Sequence, residues 1–169
     1  SLVNPNAKNV FHAQENAVLG TSFKLTMIKK LIWTGDMAIS GWIQDLSSNN
    51  KIADSSNPGL KKFINNFLPA NRSTVASYAG QSSLSYYSQK FNSSFGYRRI
   101  QPNFKTFGTP YLLDDIETLT LTTYNSIAKG KLSINTNLSD QHNNLDKNKN
   151  AELQTQVGNI NANTIITQH

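Results

Sequence analysis

The stretch Ile116–Leu138, IETLTLTTYNSIAKGKLSINTNL, decides the fold. In its first half Leu119 and Leu121 alternate with threonines, and after Ala128-Lys129-Gly130 leucine and isoleucine alternate with serine and asparagine. Because successive side chains of a strand point to opposite faces, this alternation predicts a β-hairpin with one apolar and one uncharged polar face. Such a two-faced ribbon is typical of a wall between lipid and water.

The composition departs from that of an ordinary soluble domain. Hydrophobic residues make up 37% and charged residues 15% of the 169 residues, and uncharged polar residues fill the difference. A sheet whose polar face lines a wet interior is expected to have this composition. The chain contains no cysteine, which excludes disulfides and thiol catalysis, and it lacks the run of about 20 apolar residues that a membrane helix needs.

The formal net charge of +6 raises the question of nucleic-acid binding. The basic residues, however, form scattered groups, and two of these groups fall at predicted turns, where charge is ordinarily solvated. The groups are Lys29-Lys30, Lys61-Lys62, Arg98-Arg99, and Lys129 with Lys131. We therefore predict no nucleic-acid partner. The start, SLVNPNAKNVF, is not a signal peptide, so an exported form is expected to be a mature product or a piece of one.

The same alternation recurs along the rest of the chain and predicts about eight antiparallel strands in a single domain, 1–169. A last turn at 161–163 leads into a strand that stops at His169. Short predicted connections alternate with long ones, which is the order of an up-and-down outer-membrane β-barrel. The short connections are 28–30, 88–91, 127–130 and 160–163, and the long ones are 46–72, 101–115 and 140–150.

One side of these strands is predicted to face outer-membrane lipid and the other a lumen. The predicted lipid-facing residues are Phe23, Leu25, Met27, Leu31, Trp33, Met37, Ile39, Leu119, Leu121, Leu132 and Ile134. A bacterial barrel has an even number of strands and no free edge. About eight strands, with the last one cut off, therefore indicate either a single barrel domain over 1–169 or a segment of a larger barrel.

Inside the predicted extracellular loop 46–72 the period of the apolar residues changes. Leu60, Phe63, Ile64 and Phe67 recur at helical spacing and predict an amphipathic helix over 58–68. This helix has two interpretations: it covers the rim of the barrel, or it docks a partner through those four side chains.

The richest polar cluster brackets the 101–115 loop. It consists of Arg98 and Arg99 before the loop and Asp114, Asp115 and Glu117 after it. A hairpin-like return would bring these opposite charges together, and Arg–carboxylate pairing would pin the loop. A second interpretation is calcium bound by the three carboxylates. A third is a paired-carboxylate hydrolase, although no histidine or nucleophile has a position that matches such a reaction. No catalytic residue and no cofactor is predicted.

The segment at 95–117, FGYRRIQPNFKTFGTPYLLDDIE, resembles a family of outer-membrane β-barrel proteins from Bacteroidota. Two further segments are similar to that family: Phe67-Leu68-Pro69 with Arg72-Ser73-Thr74, and Asn143-Asn144-Leu145-Asp146 ahead of Lys149. The residues that carry the first resemblance are Tyr97, Arg99, Ile100, Pro102, Phe104, Lys105, Thr106, Gly108, Tyr111, Asp114, Asp115, Ile116 and Glu117. The resemblance implies an antiparallel membrane barrel, and some barrels of this phylum work with secretion or nutrient-uptake systems.

The sequence therefore predicts a non-enzymatic outer-membrane barrel with a structural role or a role in transport or secretion. The alternative from a different class is a soluble secreted β-sandwich adhesin that binds glycan or protein through its loops. In a sandwich the same apolar faces would pack together in a dry core. A third interpretation is a structural subunit of a secretion or uptake complex, with the 58–68 helix docked on another subunit.

Overall fold

A computed structural model of the chain describes residues 12–47, 58–68, 71, 73–109 and 111–165. Its strands form one antiparallel sheet in which each strand pairs with the next along the chain. The elements are β1 (Glu15–Met27), β2 (Leu31–Ile43), α1 (Pro58–Ile64), β3 (Thr74–Tyr87), β4 (Phe91–Ile100), β5 (Ile116–Ile127), β6 (Leu132–Asn143) and β7 (Gln154–Thr164). The prediction of an all-β, antiparallel up-and-down architecture is confirmed.

Tight turns and long connections lie at opposite ends of the sheet. The turns are 28–30, 88–90 and 128–131, and the long connections are 44–73, 101–115 and 144–153. Ile28 and Lys129 both have positive φ, 48° and 57°, and Gly130 follows Lys129 with φ 88°. These left-handed residues let the chain reverse within a few residues, as antiparallel hairpins require.

The predicted turn at 161–163 is wrong, and most of the strand predicted beyond it, 166–169, lies outside the described residues. Asn161 pairs with Asn135 and Asn163 with Ser133, so β7 runs through this segment as a single strand. Asparagine favours turns when its side chain bonds its own backbone, but here it continues a polar row across two strands. In the described part of the chain the sheet accordingly has seven strands, where about eight were predicted for the whole sequence; the predicted end of the last strand, His169, lies outside that part.

Two other predicted boundaries differ from the structure. Strand β6 continues to Asn143, so the connection predicted to begin at 140 begins at 144. Helix α1 ends at Ile64, and the chain tightens into turns in which Asn66 N–H donates to Phe63 O and Phe67 N–H to Ile64 O. Parts of the predicted 46–72 loop, namely 48–57, 69–70 and 72, lie outside the described residues.

The register separates the sheet into two chemically different faces. The apolar face carries a continuous row across β1 to β6, with neighbours paired directly: Leu25, Trp33, Leu84, Phe95, Leu121 and Leu138. The polar face carries a parallel row on β2 to β6: Thr34, Ser83, Gly96, Thr120 and Ser139. All the residues predicted to face lipid share the apolar face.

Most of the apolar face has no protein covering it in the described part of the chain. Leu25 is 48% exposed and Met37 is 59% exposed, although both lie well within their strands. The described strands form one sheet, so no second sheet packs on this face as it would in a sandwich. The sheet is also open, since β1 and β7 each pair with a single neighbour.

A small buried cluster lies at the loop end of the apolar face. Ile64 of α1 and Leu68 after it pack on Ile43 of β2. This packing depends on Gly41, because a Cβ at that position would lie 2.6 Å from Ile64 Cγ2. The helix therefore covers only the first rows of the apolar face, next to the long connections.

Candidate functional site

The 101–115 connection folds back over the polar face at the loop end of β1 to β3. Ser77 Oγ donates to Pro102 O at 3.0 Å, and Asn16 Nδ2 donates to Lys105 O at 3.0 Å. Ser40 Oγ also donates to Lys105 O. Ser40 and Ser77 are buried, whereas the alternation pattern placed polar residues of this face in water. These anchors were missed because a hydroxyl in a strand has the same pattern whether it bonds water or a loop.

Beneath this loop lies a cleft of about 550 Å³. Its upper part is apolar: Ala38, Ala79 and Ile100 form one cross-strand row, and Phe104 of the loop lines the same cleft. Ile100 and Phe104 are both buried, with exposed fractions of 3% and 4%. The 101–115 loop thereby turns part of the polar face into a partly apolar cleft.

The next row toward the turns is charged and polar. Asp36, Gln81 and Arg98 are directly paired on β2, β3 and β4. Gln81 Nε2 donates to Asp36 Oδ2 at 2.7 Å. These three residues also line a second cavity of about 390 Å³ farther down the polar face, whose other walls include Thr34, Thr118 and Gln141. The row is therefore the boundary between an apolar and a polar compartment.

The structure separates the two arginines that the sequence analysis grouped together. Arg99 Nη1 donates to Glu117 Oε2 at 2.6 Å, and Tyr97 Oη donates to the same oxygen at 2.8 Å. This cluster lies at the loop end of the apolar face. Arg98 projects from the opposite face into the cleft, because adjacent residues of a strand alternate. Grouping Arg98 with Arg99 in one cluster overlooked this alternation.

The three predicted acidic residues also go to different partners. Asp114 Oδ2 accepts a hydrogen bond from Asn103 N–H at 2.7 Å, while Glu117 pairs with Arg99. Asp115 bonds the Lys149 side chain and the Leu145 N–H, the latter at 2.8 Å. Among the residues that the structure describes, no group of three or more His, Cys, Asp and Glu is arranged to hold a metal ion.

The buried Asp115 carboxyl is held in its charged form. Burial alone would raise the pKa of Asp115, but hydrogen bonds from Lys149 and from the Leu145 and Asn144 N–H groups outweigh it. The result is a pKa below the ordinary value of 3.8. Asp115 therefore acts as an ionised tie between the end of the 101–115 loop and the 144–153 connection.

The residues proposed as a docking face on the helix divide between two environments. Ile64 is buried against the sheet, whereas Phe63 and Phe67 are 40% and 60% exposed. The two phenylalanine rings pack on each other with centroids 5.2 Å apart. The side chain of Leu60 lies outside the described residues. Phe63 of the helix and Phe67 after it thus form an exposed aromatic pair, while Ile64 packs the helix on the sheet.

Comparison with protein-family models, with curated proteins and with solved structures finds no match for this chain. In the part of the chain that the structure describes, no helix is both long enough and apolar enough to cross a membrane.

Proposed function

We propose that the chain is an outer-membrane β-barrel protein, or a large part of one, with a structural role or a role in transport or secretion. In this proposal the apolar face contacts lipid and the polar face lines an aqueous lumen. The observation that carries it is the apolar row from Leu25 to Leu138, which crosses neighbouring strands and has no protein layer over it among the residues that the structure describes. The proposal assigns no catalytic role to any residue.

Strand length and polarity support this orientation. The strands contain 10 to 14 residues, and a membrane strand tilted by about 45° needs about 9–11. The charged group of Arg99, Glu117 and His142 lies on the apolar face but at its loop end, beyond the row of Leu119. A band of apolar residues that ends in charge at one level is what a bilayer boundary requires.

The two sheet edges place a condition on the proposal. An unpaired edge leaves backbone N–H and C=O groups unsatisfied in hydrocarbon, at a cost of several kcal/mol for each group. In lipid, β1 and β7 must therefore pair with strands beyond the seven described, from the same protein or from further copies. The polar face would then line a closed lumen, with the 101–115 loop narrowing it.

Extraction of the full-length protein from cells that express it tests the proposal. We expect it to sediment with outer membranes, to resist carbonate and high salt, and to be released as a monodisperse species only by detergent. A protein that stays monodisperse in plain buffer would overturn the proposal and favour a secreted β-sandwich adhesin. A periplasmic protein of known solubility, released in the same fractionation, serves as the control.

A further inference from the structure

The cleft beneath the 101–115 loop holds two opposite charges apart. Asp36 on β2 and Arg98 on β4 have β3 between them, so their backbones are two strand spacings apart, about 10 Å. Gln81 occupies the position between them and donates one hydrogen bond to Asp36 Oδ2. Asp36 and Arg98 are therefore close enough for one small molecule to reach both.

Neither charge is neutralised by an ion pair within the described residues. The ion pairs of that part of the chain involve Arg99, Lys149 and two histidines, and Arg98 and Asp36 form none of them. Both side chains are exposed to the cleft, where a ligand can displace water from them. An exposed guanidinium favours a carboxylate, which it can bind bidentately, and an exposed carboxylate favours an ammonium group.

The apolar row above these charges adds a third requirement. Ala38, Ala79 and Ile100 lie one row toward the loop, and Phe104 and Leu112 of the loop line the same cleft. A ligand that engages both charges would place its central part against this apolar surface. At about 550 Å³ the cleft has the size of an ordinary small-molecule site.

We propose that this cleft binds a short zwitterionic solute with an apolar body, of the dipeptide class. Its ammonium group bonds Asp36, its carboxylate bonds Arg98, and its apolar side chains pack against Ala38, Ala79 and Leu112, the half-buried apolar residues of the cleft. A simple carboxylate would meet repulsion from Asp36, and a simple amine would meet repulsion from Arg98. The cleft consists of β1 to β4 and the loop alone, so the proposal goes beyond the membrane assignment and stands whether or not the apolar face meets lipid.

Isothermal titration of the purified full-length protein with leucyl-leucine tests this site. We compare the free dipeptide with its N-acetylated form, its C-terminal amide, and octanoate, which carries only the carboxylate and an apolar chain. We expect the free dipeptide to bind and each of the other three to bind at least about tenfold more weakly, as loss of a charged hydrogen bond predicts. Absence of binding by the free dipeptide at millimolar concentration, or equal binding by any of the three analogues, would overturn the proposal.

Variants assign each end of the ligand to its residue. Asp36→Asn is expected to weaken binding of the free dipeptide about tenfold. This variant should bind the free and the N-acetylated dipeptide equally well, while it still binds the amide more weakly. Arg98→Gln should bind the free dipeptide and its amide equally well, while it still binds the N-acetylated form more weakly. The control, Lys90→Gln, removes a charge from the 88–90 turn and should leave the affinity unchanged. If both variants still bind the free dipeptide more tightly than all of its analogues, other residues recognise the charged ends of the ligand and the proposal fails.

Discussion

Asp115 and Lys149 form a salt bridge between two connections that are far apart in sequence. The Asp115 carboxylate is buried, with a residue exposure of 3%, and it also accepts a hydrogen bond from Leu145 N–H at 2.8 Å. Asp115 has a left-handed backbone, with φ 59°. The Asp115 side chain thereby fixes the end of the 101–115 loop to the 144–153 connection. It thus helps to hold this loop over the cleft.

Replacing Asp115 with asparagine tests this tie. Asparagine tolerates positive φ, so Asp115→Asn removes the charge with little backbone strain. We expect a loss of about 1–3 kcal/mol in the free energy of unfolding, because the buried bonds to Lys149 and Leu145 weaken. Denaturant titration measures it. Asp146→Asn, an exposed position in the same connection, is the control and should change stability by less than about 0.5 kcal/mol. Equal effects of the two substitutions would contradict the structural role of Asp115.

The lowered pKa of Asp115 predicts a pH dependence of stability. Because the pKa in the folded protein lies below the ordinary value of 3.8, the unfolded chain binds the proton more readily. The stabilisation from Asp115 is therefore fully present above about pH 3.8 and is lost as pH falls through the folded pKa. Unfolding free energies of the native protein and of Asp115→Asn should converge as pH falls below 3.8. A constant difference down to the lowest pH that is measurable would contradict the prediction.

Adjacent substitutions on β5 distinguish the two faces. Leu121 lies on the apolar face and Thr122 on the polar face, and both are exposed. In lipid vesicles we expect Leu121→Arg to cost about 2–4 kcal/mol of unfolding free energy, because arginine would enter hydrocarbon. Thr122→Arg, which places the same side chain in the lumen, is the matched control and should cost less than about 1 kcal/mol. Similar costs for both would contradict the assignment of lipid to the apolar face.

Gly41 is predicted to be essential for the packing of α1 on the sheet. An alanine there would place its Cβ 2.6 Å from Ile64 Cγ2 and 3.0 Å from Leu68 Cδ1, so the Ile64 side chain or the helix that carries it must shift. We expect Gly41→Ala to cost about 1–3 kcal/mol of unfolding free energy, as overpacking does, and to increase proteolysis within 44–73. Gly20→Ala is the control, because its Cβ would meet nothing closer than 3.5 Å. Undiminished protease resistance in Gly41→Ala would count against the packing described.

Much of the architecture was predictable because strand periodicity is a local property. Leu119 and Leu121 alternate with threonines in the sequence, and the structure places both on one face with Leu132 and Ile134. The cleft was not predictable in the same way. Ser40 and Ser77 look like any other wet hydroxyls of the polar face, and only the return of the 101–115 loop buries them.

The local sequence was misleading where one residue pattern is compatible with two different local structures. Asn161 and Asn163 are turn formers in isolation, yet cross-strand pairing with Asn135 and Ser133 keeps them in β7. Arg98 and Arg99 are neighbours in sequence but belong to opposite faces, one in the cleft and one with Glu117. A pairing partner supplied by a distant strand outweighs a residue's own preference because it satisfies several backbone groups at once.

The amino-acid sequence by itself determined the two-faced strands, their up-and-down order and the alternation of short and long connections, because these depend on neighbours within a few residues. Only the tertiary structure decided which polar side chains meet. Strand register brings Asp36, Gln81 and Arg98 into one row of the cleft that Phe104 also lines, and the return of the loop joins Asp115 to Lys149. These contacts form between residues that lie tens of positions apart in the sequence, and strand periodicity carries no information about pairs so far apart.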